Sequence, residues 1–533
     1  MLKQNKGIFL MKHLTAQQVK PLLTDGNEIA FLDIREHGQY GEGHPFLSVH
    51  LPFSKIETLA PKLMPCRAVR CVLMDNGDDI SLRASKVLES LGYSNVYILT
   101  GGAPAWVNAG YTLFKGVNVP SKTFGELVEH AFDTPSISSE ELHQMQAEGK
   151  ELLLLDGRSA PEFHKMSLPN AKSCPNAELG YRLPMLTDNP NTPVIINCAG
   201  RTRSIIGAQT LSLLNIPNPV YALRNGTQGW RIAGFDLIHE AKVNDLPTPT
   251  SETVELGRIK AEELITGYDL NTVTEETAQA WLADSTQTSY LFDVRGAEEF
   301  VKGHVKNAIS APGGQLTQAT DEKLAVRNAR IILSCDNGLR SATTAIWLSG
   351  MGHKVWILKD ADLTNTVDVT PENVRVIQTM ELTDLKKHID DGAKILDASA
   401  GLNYRAGHIK GATWVTRSRI DFDALDNPED WVLTGSCRML MGGIARDIEA
   451  ITGKKLKGAV KGTVEDWKAL GLDVVVTPDE PTEKECIDYL FFVHDRHDGN
   501  LDAARRYLEW EVGLLAQLDE QERSVLKPLH PIK

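Results

Sequence analysis

The chain has 533 residues, 42% of them hydrophobic and 24% charged, enough for about three to five domains of roughly 100 to 200 residues each. Its 56 basic and 70 acidic residues give a formal net charge of −14, and no block of Lys and Arg concentrates the positive charge, which argues against a nucleic-acid partner. No apolar run reaches the roughly 18 to 20 residues that span a bilayer, and Gly7-Ile8-Phe9-Leu10 is too short for a signal-peptide core. With seven cysteines and no CxxC pair, reduced thiols and a cytoplasmic location, without membrane attachment, are expected.

Along the chain, a strand ending in Asp recurs four times: Phe31-Leu32-Asp33-Ile34-Arg35, Leu154-Leu155-Asp156-Gly157-Arg158, Leu291-Phe292-Asp293-Val294-Arg295 and Ile395-Leu396-Asp397-Ala398-Ser399. Glu162-Phe163 and Glu299-Phe300 follow in the second and third copies, and Gly-His follows in three, at His44, His304 and His408. Agreement at several offsets identifies internal repeats. About 40 residues after each Asp a second apolar run stops at a polar turn: Met74-Asp75-Asn76-Gly77, Cys198-Ala199-Gly200-Arg201-Thr202-Arg203, Cys335-Asp336-Asn337-Gly338-Leu339-Arg340 and Gly435-Ser436-Cys437-Arg438. Helical patterns come next, as over 81–91 and 204–214, then a third short strand, Val96-Tyr97-Ile98-Leu99, Val220-Tyr221-Ala222-Leu223 or Val355-Trp356-Ile357-Leu358. In the fourth copy Val460-Lys461-Gly462 holds that place.

Short apolar strands alternating with helices predict parallel sheets covered on both faces. The fold class is therefore α/β: four tandem units over 12–117, 130–243, 270–365 and 373–476, each a small parallel sheet flanked by helices. Residues 244–251 and 476–481 read as linkers. Residues 484–526 read as helices, because Leu501, Ala504, Leu508, Val512, Leu515 and Leu518 recur at helical spacing. They form a helical C-terminal tail, 482–533, suited to packing or to a homodimer.

Sites in such sheets lie beyond the carboxyl ends of the strands, where the cysteine turns fall. A thiol there meets inward-pointing backbone N–H groups and a helix N-terminus, both of which favour thiolate. Arg203 and Arg340, five residues on, can curl the loop around the sulfur and offer donors to an anion, and Gly200 and Gly338 permit close backbone approach. Cys198 and Cys335 are the predicted nucleophiles. Cys66, Cys71, Cys174 and Cys486 lack an Arg-bearing loop and are assigned to packing or surface. Cys437, two residues beyond the expected position, is assigned a structural place. The Asp-Arg pairs and the Gly-His histidines read as loop braces rather than acid/base groups. His494 and His497 lack a third ligand, so no metal is assigned.

These features together, Asp-x-Arg, Glu-Phe, Gly-His and Cys-loop-Arg-Ser, resemble rhodanese-homology domains over roughly residues 12 to 475. The resemblance implies a thiosulfate sulfurtransferase in which the loop cysteine takes a sulfane sulfur, releases sulfite and hands the sulfur as a persulfide to cyanide or a thiol. It implies no cofactor. Cys335 to Ser341 fits the family form Cys-x-x-Gly-x-Arg-Ser at every fixed position, while the second loop has Gly200 one place early and an additional Arg201. By this resemblance Arg201, Arg203, Ser204, Gly338, Arg340 and Ser341 serve the substrate, the serines capping the helices or donating to the sulfur. Met74 and Gly435 stand where Cys is expected, and Asp79 and Leu440 replace the loop Arg, so units one and four should be silent. By analogy with two-domain rhodaneses, units one with two and three with four would pair.

Rival readings differ in testable ways. Related phosphatases and arsenate reductases use Cys-x5-Arg around a tetrahedral oxyanion, whereas both loops here are Cys-x4-Arg, a smaller nest suited to one sulfur atom. A non-catalytic binding or sulfur-sensing scaffold suits two units that lack the nucleophile but not two complete loops. A 3-mercaptopyruvate donor would need cationic contacts for its carboxylate, for which Arg201 and Arg224 are candidates.

Overall fold

The computed structural model describes residues 12–366 and 376–532. The first residues assigned to unit four, 373–375, lie outside them. Each unit is built on a strand that ends in the motif Asp: Ile29–Asp33, Leu153–Asp156, Ser289–Asp293 and Lys394–Asp397. Almost every residue of these strands is buried, as apolar runs covered on both faces should be. Their parallel neighbours are Cys71–Met74, Val194–Asn197, Arg330–Ser334 and Trp431–Gly435. Units two and three are five-stranded parallel sheets with the same strand order, and unit one repeats that order with one additional strand. Unit four has four parallel strands.

Register corrects one sequence assignment. The motif Asp lies opposite Met74, Asn197, Ser334 and Thr434 in the four units. The residue that begins each loop is the next one: Asp75, Cys198, Cys335 and Gly435. Asp75, not Met74, holds the cysteine position in unit one, and Ile80, not Asp79, holds that of the loop Arg. The backbone agrees, since the Ala103 amide donates to the Asp75 carbonyl at 2.9 Å as the Thr227 amide donates to the Cys198 carbonyl at 2.8 Å.

The units interlock in a pattern other than one-two and three-four. Val326–Arg327 of unit three pairs antiparallel with the Ile29–Asp33 strand of unit one. Arg417 of unit four, 1% exposed, pairs with Glu57 of unit one at 2.5 Å and with Asp447 at 2.9 Å. Between units two and three, Glu178 accepts from Arg340 at 2.7 Å and the Tyr181 hydroxyl donates to Asp336 at 3.1 Å.

Two connecting segments depart from the sequence reading. A 17-residue helix, Ser251–Gly267, follows the linker at 244–251, its start capped by the Thr250 hydroxyl accepting from the Thr253 amide. In the tail, 482–500 forms turns rather than helix, with left-handed backbone at Val493 and Asp495. The helix begins only at Leu501–Val512, capped by the Asn500 side chain, and Glu520–Val525 follows. The tail packs on its own chain: Lys20 of unit one pairs with Asp519 at 2.6 Å and Glu522 at 2.8 Å, and the Gly38 amide donates to the Ile487 carbonyl. Among the described residues no helix is long and apolar enough to cross a membrane.

Candidate active site

The braces come first, because they aim the loops. Asp156 and Arg158 form a fully buried pair at 2.7 Å, and the same guanidinium donates to the Met166 carbonyl at 2.6 Å. Asp33 with Arg35 and Asp293 with Arg295 repeat the arrangement. His44, His304 and His408 contact through Nδ1 the carbonyls of Tyr40, Phe300 and Tyr404 and stack on those rings at 3.6 to 3.9 Å. None of these groups faces a cysteine. They fix the chain between the first strand and its helix.

Cys198 lies buried between strand Val194–Asn197 and helix Thr202–Leu213. Burial pushes its thiol up, the Arg203 guanidinium and the Ser204 hydroxyl and amide oppose that rise, and Glu511 adds to it. The loop therefore favours thiolate as its chemistry predicts, but burial outweighs it and the resting group is a thiol. Arg203 makes a bidentate pair with Glu162, both bonds 2.7 Å. Burial alone would raise the Glu162 carboxyl, and the Arg203 bonds hold it down at about 2. Arg201, expected at the substrate, is instead taken up by Glu126 at 2.6 and 2.9 Å and by Glu129. Ser204 lies inside the first helical turn rather than at the cap, and its buried hydroxyl is directed at the Cys198 thiol, with no other hydrogen-bond partner.

The third loop repeats this plan more tightly. Burial pushes the Cys335 thiol up, against Arg340 and Ser341. Arg340 is 0% exposed; it donates to Glu299 at 2.7 and 2.9 Å, to Glu178 at 2.7 Å and to Asp336 at 2.8 Å. Gly338 adopts φ +82°, where a side chain is strained, and ends the turn before helix Leu339–Gly350. Ser341, like Ser204, lies in the first helical turn with its hydroxyl directed at the cysteine thiol and no other partner. Both arginines are thus committed to carboxylates and hold the loop in shape; their free donor capacity is small.

Unit one demonstrates what such a loop holds. The Asp75 carboxylate, in the cysteine position, accepts from the Gly77 and Ser81 amides at 2.9 Å each. Ser81 is the counterpart of Ser204 and Ser341, so the nest formed by the loop amides receives an anion in this very chain. Unit four has Gly435 there, and Cys437 is exposed at the start of helix Arg438–Thr452.

Sequence reasoning missed the second layer. Glu162 and Glu299 stand 41 residues before their arginines, and the corresponding pairs in units one and four are Gln39 with Ile80 and Asn403 with Leu440. Carboxylate and guanidinium are retained or lost together within one chain, a signal available from the repeat. Glu178 and Tyr181 at the Cys335 loop, and Tyr507 and Glu511 at the Cys198 loop, come from other parts of the chain and carry no repeat signal.

Residues 15–109, 138–233 and 274–361 match the rhodanese-like domain. A thiosulfate sulfurtransferase from Pseudomonas aeruginosa, known from its crystal structure, is 34% identical, with a TM-score of 0.88 over 98% of this chain and 100% of its own. The Alr3790 protein from Anabaena sp. is 24% identical over 19% of this chain and 82% of its own, with a TM-score of 0.18. The BH2092 protein from Bacillus halodurans is 16% identical over 25% of this chain and 97% of its own, with a TM-score of 0.19. No curated protein matches the chain. Repeated loops, their braces, the domain match and the likeness to the Pseudomonas enzyme together make the chain a multidomain member of the rhodanese family.

Proposed function

We propose that the protein is a sulfurtransferase that moves sulfane sulfur from thiosulfate to cyanide or a thiol through persulfides on Cys198 and Cys335. The observation that carries this reading is the common loop geometry: the Ser81 amide that helps hold the Asp75 carboxylate in unit one has its counterparts, the Ser204 and Ser341 amides, on the cysteine sulfur in units two and three. The cysteine thiolate attacks the outer sulfur of thiosulfate, a new S–S bond forms, the S–SO3 bond breaks and sulfite leaves with the electron pair. The persulfide anion then replaces the thiolate in the nest, one atom further out, where the Ser204 or Ser341 hydroxyl can donate to it. An acceptor attacks that outer sulfur, the S–S bond breaks with its electron pair going to the cysteine, and the thiolate is restored.

Arg203 and Arg340 act by holding the loops closed. Units one and four supply structure, joined through Arg417, Glu57 and Asp447. Thiocyanate formation from thiosulfate and cyanide, compared among wild type, Cys198→Ser, Cys335→Ser and the double variant, tests the reading. Turnover falling in each single variant and vanishing in the double is expected; full turnover in the double variant would overturn it.

A further inference from the structure

The two cysteine loops are alike in backbone and differ in the unpartnered polar atoms set against them. Around Cys335 the buried atoms without a hydrogen-bond partner include two donors, Asn337 Nδ2 and Arg340 Nε, while the Ser341 hydroxyl matches Ser204 at the other loop. Beside the Cys198 loop they include two acceptors that lie against the loop itself, with the donors Arg496 Nε and Trp510 Nε1 further out on the tail. Glu511 is 1% exposed; its Oε1 accepts from the Thr202 hydroxyl at 2.7 Å, and its Oε2 has no partner. That oxygen would lie 2.8 Å from a Cβ built on Gly200, the middle of the loop. Gln228, 2% exposed, donates through Nε2 to the Ala199 carbonyl at 3.2 Å and leaves Oε1 unpartnered. Neighbouring cations do not satisfy Glu511 Oε2. Lys122 donates to the Val117 carbonyl and lies over the Tyr507 and Trp510 rings, Arg496 donates to the Val493 carbonyl, and Arg203 is held by Glu162.

A buried acceptor without a donor is costly, and a carboxylate oxygen more so than an amide. An acceptor that brings N–H donors removes that cost; one that brings a carboxylate adds to it. We propose that the Cys198 loop, completed by Glu511 and Gln228, serves an acceptor thiol bearing an ammonium group, while the Cys335 loop, with unpartnered donors in place of these acceptors, serves anionic acceptor thiols. Glu511 is then a specificity-determining residue supplied by the tail. In the step concerned, the acceptor thiol loses its proton to the returning Cys198 sulfur. Its own sulfur bonds to the outer sulfur of the persulfide, and the bond from that sulfur to Cys198 breaks with its electron pair going to Cys198. The products are an acceptor persulfide anion and the Cys198 thiol, with no change in electron count.

The inference rests on the persulfide reading, so the test loads the sulfur with inorganic polysulfide and follows it by intact mass. Cys335→Ser and Cys198→Ser, each loaded, are discharged with cysteamine, 2-mercaptoethanol and 3-mercaptopropionate. In Cys335→Ser, cysteamine should exceed 3-mercaptopropionate in kcat/KM by about tenfold or more, mainly through KM, and Cys198→Ser should show the reverse order. Adding Glu511→Gln to Cys335→Ser should flatten the preference, with the thermal midpoint checking the fold; if that variant does not fold, the order in the two single variants decides. The same order in both, or a preference untouched by Glu511→Gln, would overturn the inference. Absence of persulfide, or no discharge to any thiol, would instead overturn the sulfurtransferase reading beneath it.

Discussion

At the scale of single residues, the determining fact is that burial holds both loop thiols above their ordinary range while the loop pulls them back. The reacting form is the thiolate, so the first sulfur-loading step should accelerate as pH rises through the neutral and alkaline range, read as single-turnover loading against pH; a rate that falls over that range would contradict a thiolate nucleophile. Glu162 matters through Arg203. Because its carboxyl titrates lower in the fold, at about 2, than in the unfolded chain, its stabilisation is full above about pH 4.3 and is lost as pH falls towards 2. Glu162→Gln leaves a buried cation without its carboxylate and should cost about 1–2 kcal/mol, less than the roughly 3–5 kcal/mol of a fully buried pair because Glu162 is 39% exposed on its side chain. Chemical denaturation checks the cost, and sulfur loading at Cys198 should fall with it while Cys335 is unaffected. Asp75→Ala removes the acceptor for two loop amides in unit one and should lower stability by about 1–2 kcal/mol, with sulfur transfer unchanged. Loss of turnover without loss of stability would place unit one in the chemistry.

At the scale of elements, each active loop is roofed by a segment from outside its own repeat. Helix Ser251–Gly267 covers the Cys335 loop so closely that a Cβ at Gly257 would lie 2.2 Å from Asn337 Nδ2. Gly257→Ala should displace Asn337 and cut loading at Cys335 by about tenfold, leaving Cys198 as it was; equal loading at Cys335 would show that the roof does not shape the loop. The strands, the Asp-Arg braces and the cysteine turns were readable in the sequence because they are local and repeated. The register of unit one was misread by one residue because Met74 ends an apolar run and only pairing with Asp33 shows that the strand, not the loop, contains it. Helical spacing located the start of the tail helix at Leu501 but was extended too far back, across Val493, Asp495 and Gly499, whose positive φ values break any helix. The roofs themselves were unreadable, since nothing in a repeat records which distant helix will cover its loop.

At the scale of the molecule, units one and four, which lack the loop cysteine, are tied into one body with units two and three. Unit three lends a strand to the sheet of unit one, unit four is pinned to unit one by Arg417, and units two and three meet at Arg340. Arg417→Met leaves Arg446 on Glu57 and Arg83 on Asp447 and should cost about 3 kcal/mol in unfolding. Both cysteines should still load sulfur; an unchanged denaturation midpoint would contradict a bracing role for unit four. The central claim is that two cysteines, and no others, carry the sulfur, and intact mass after thiosulfate treatment tests it most directly. The wild type should gain two sulfur atoms of about 32 Da each, Cys198→Ser and Cys335→Ser one each, and the double variant none; sulfur retained on the double variant would contradict the account.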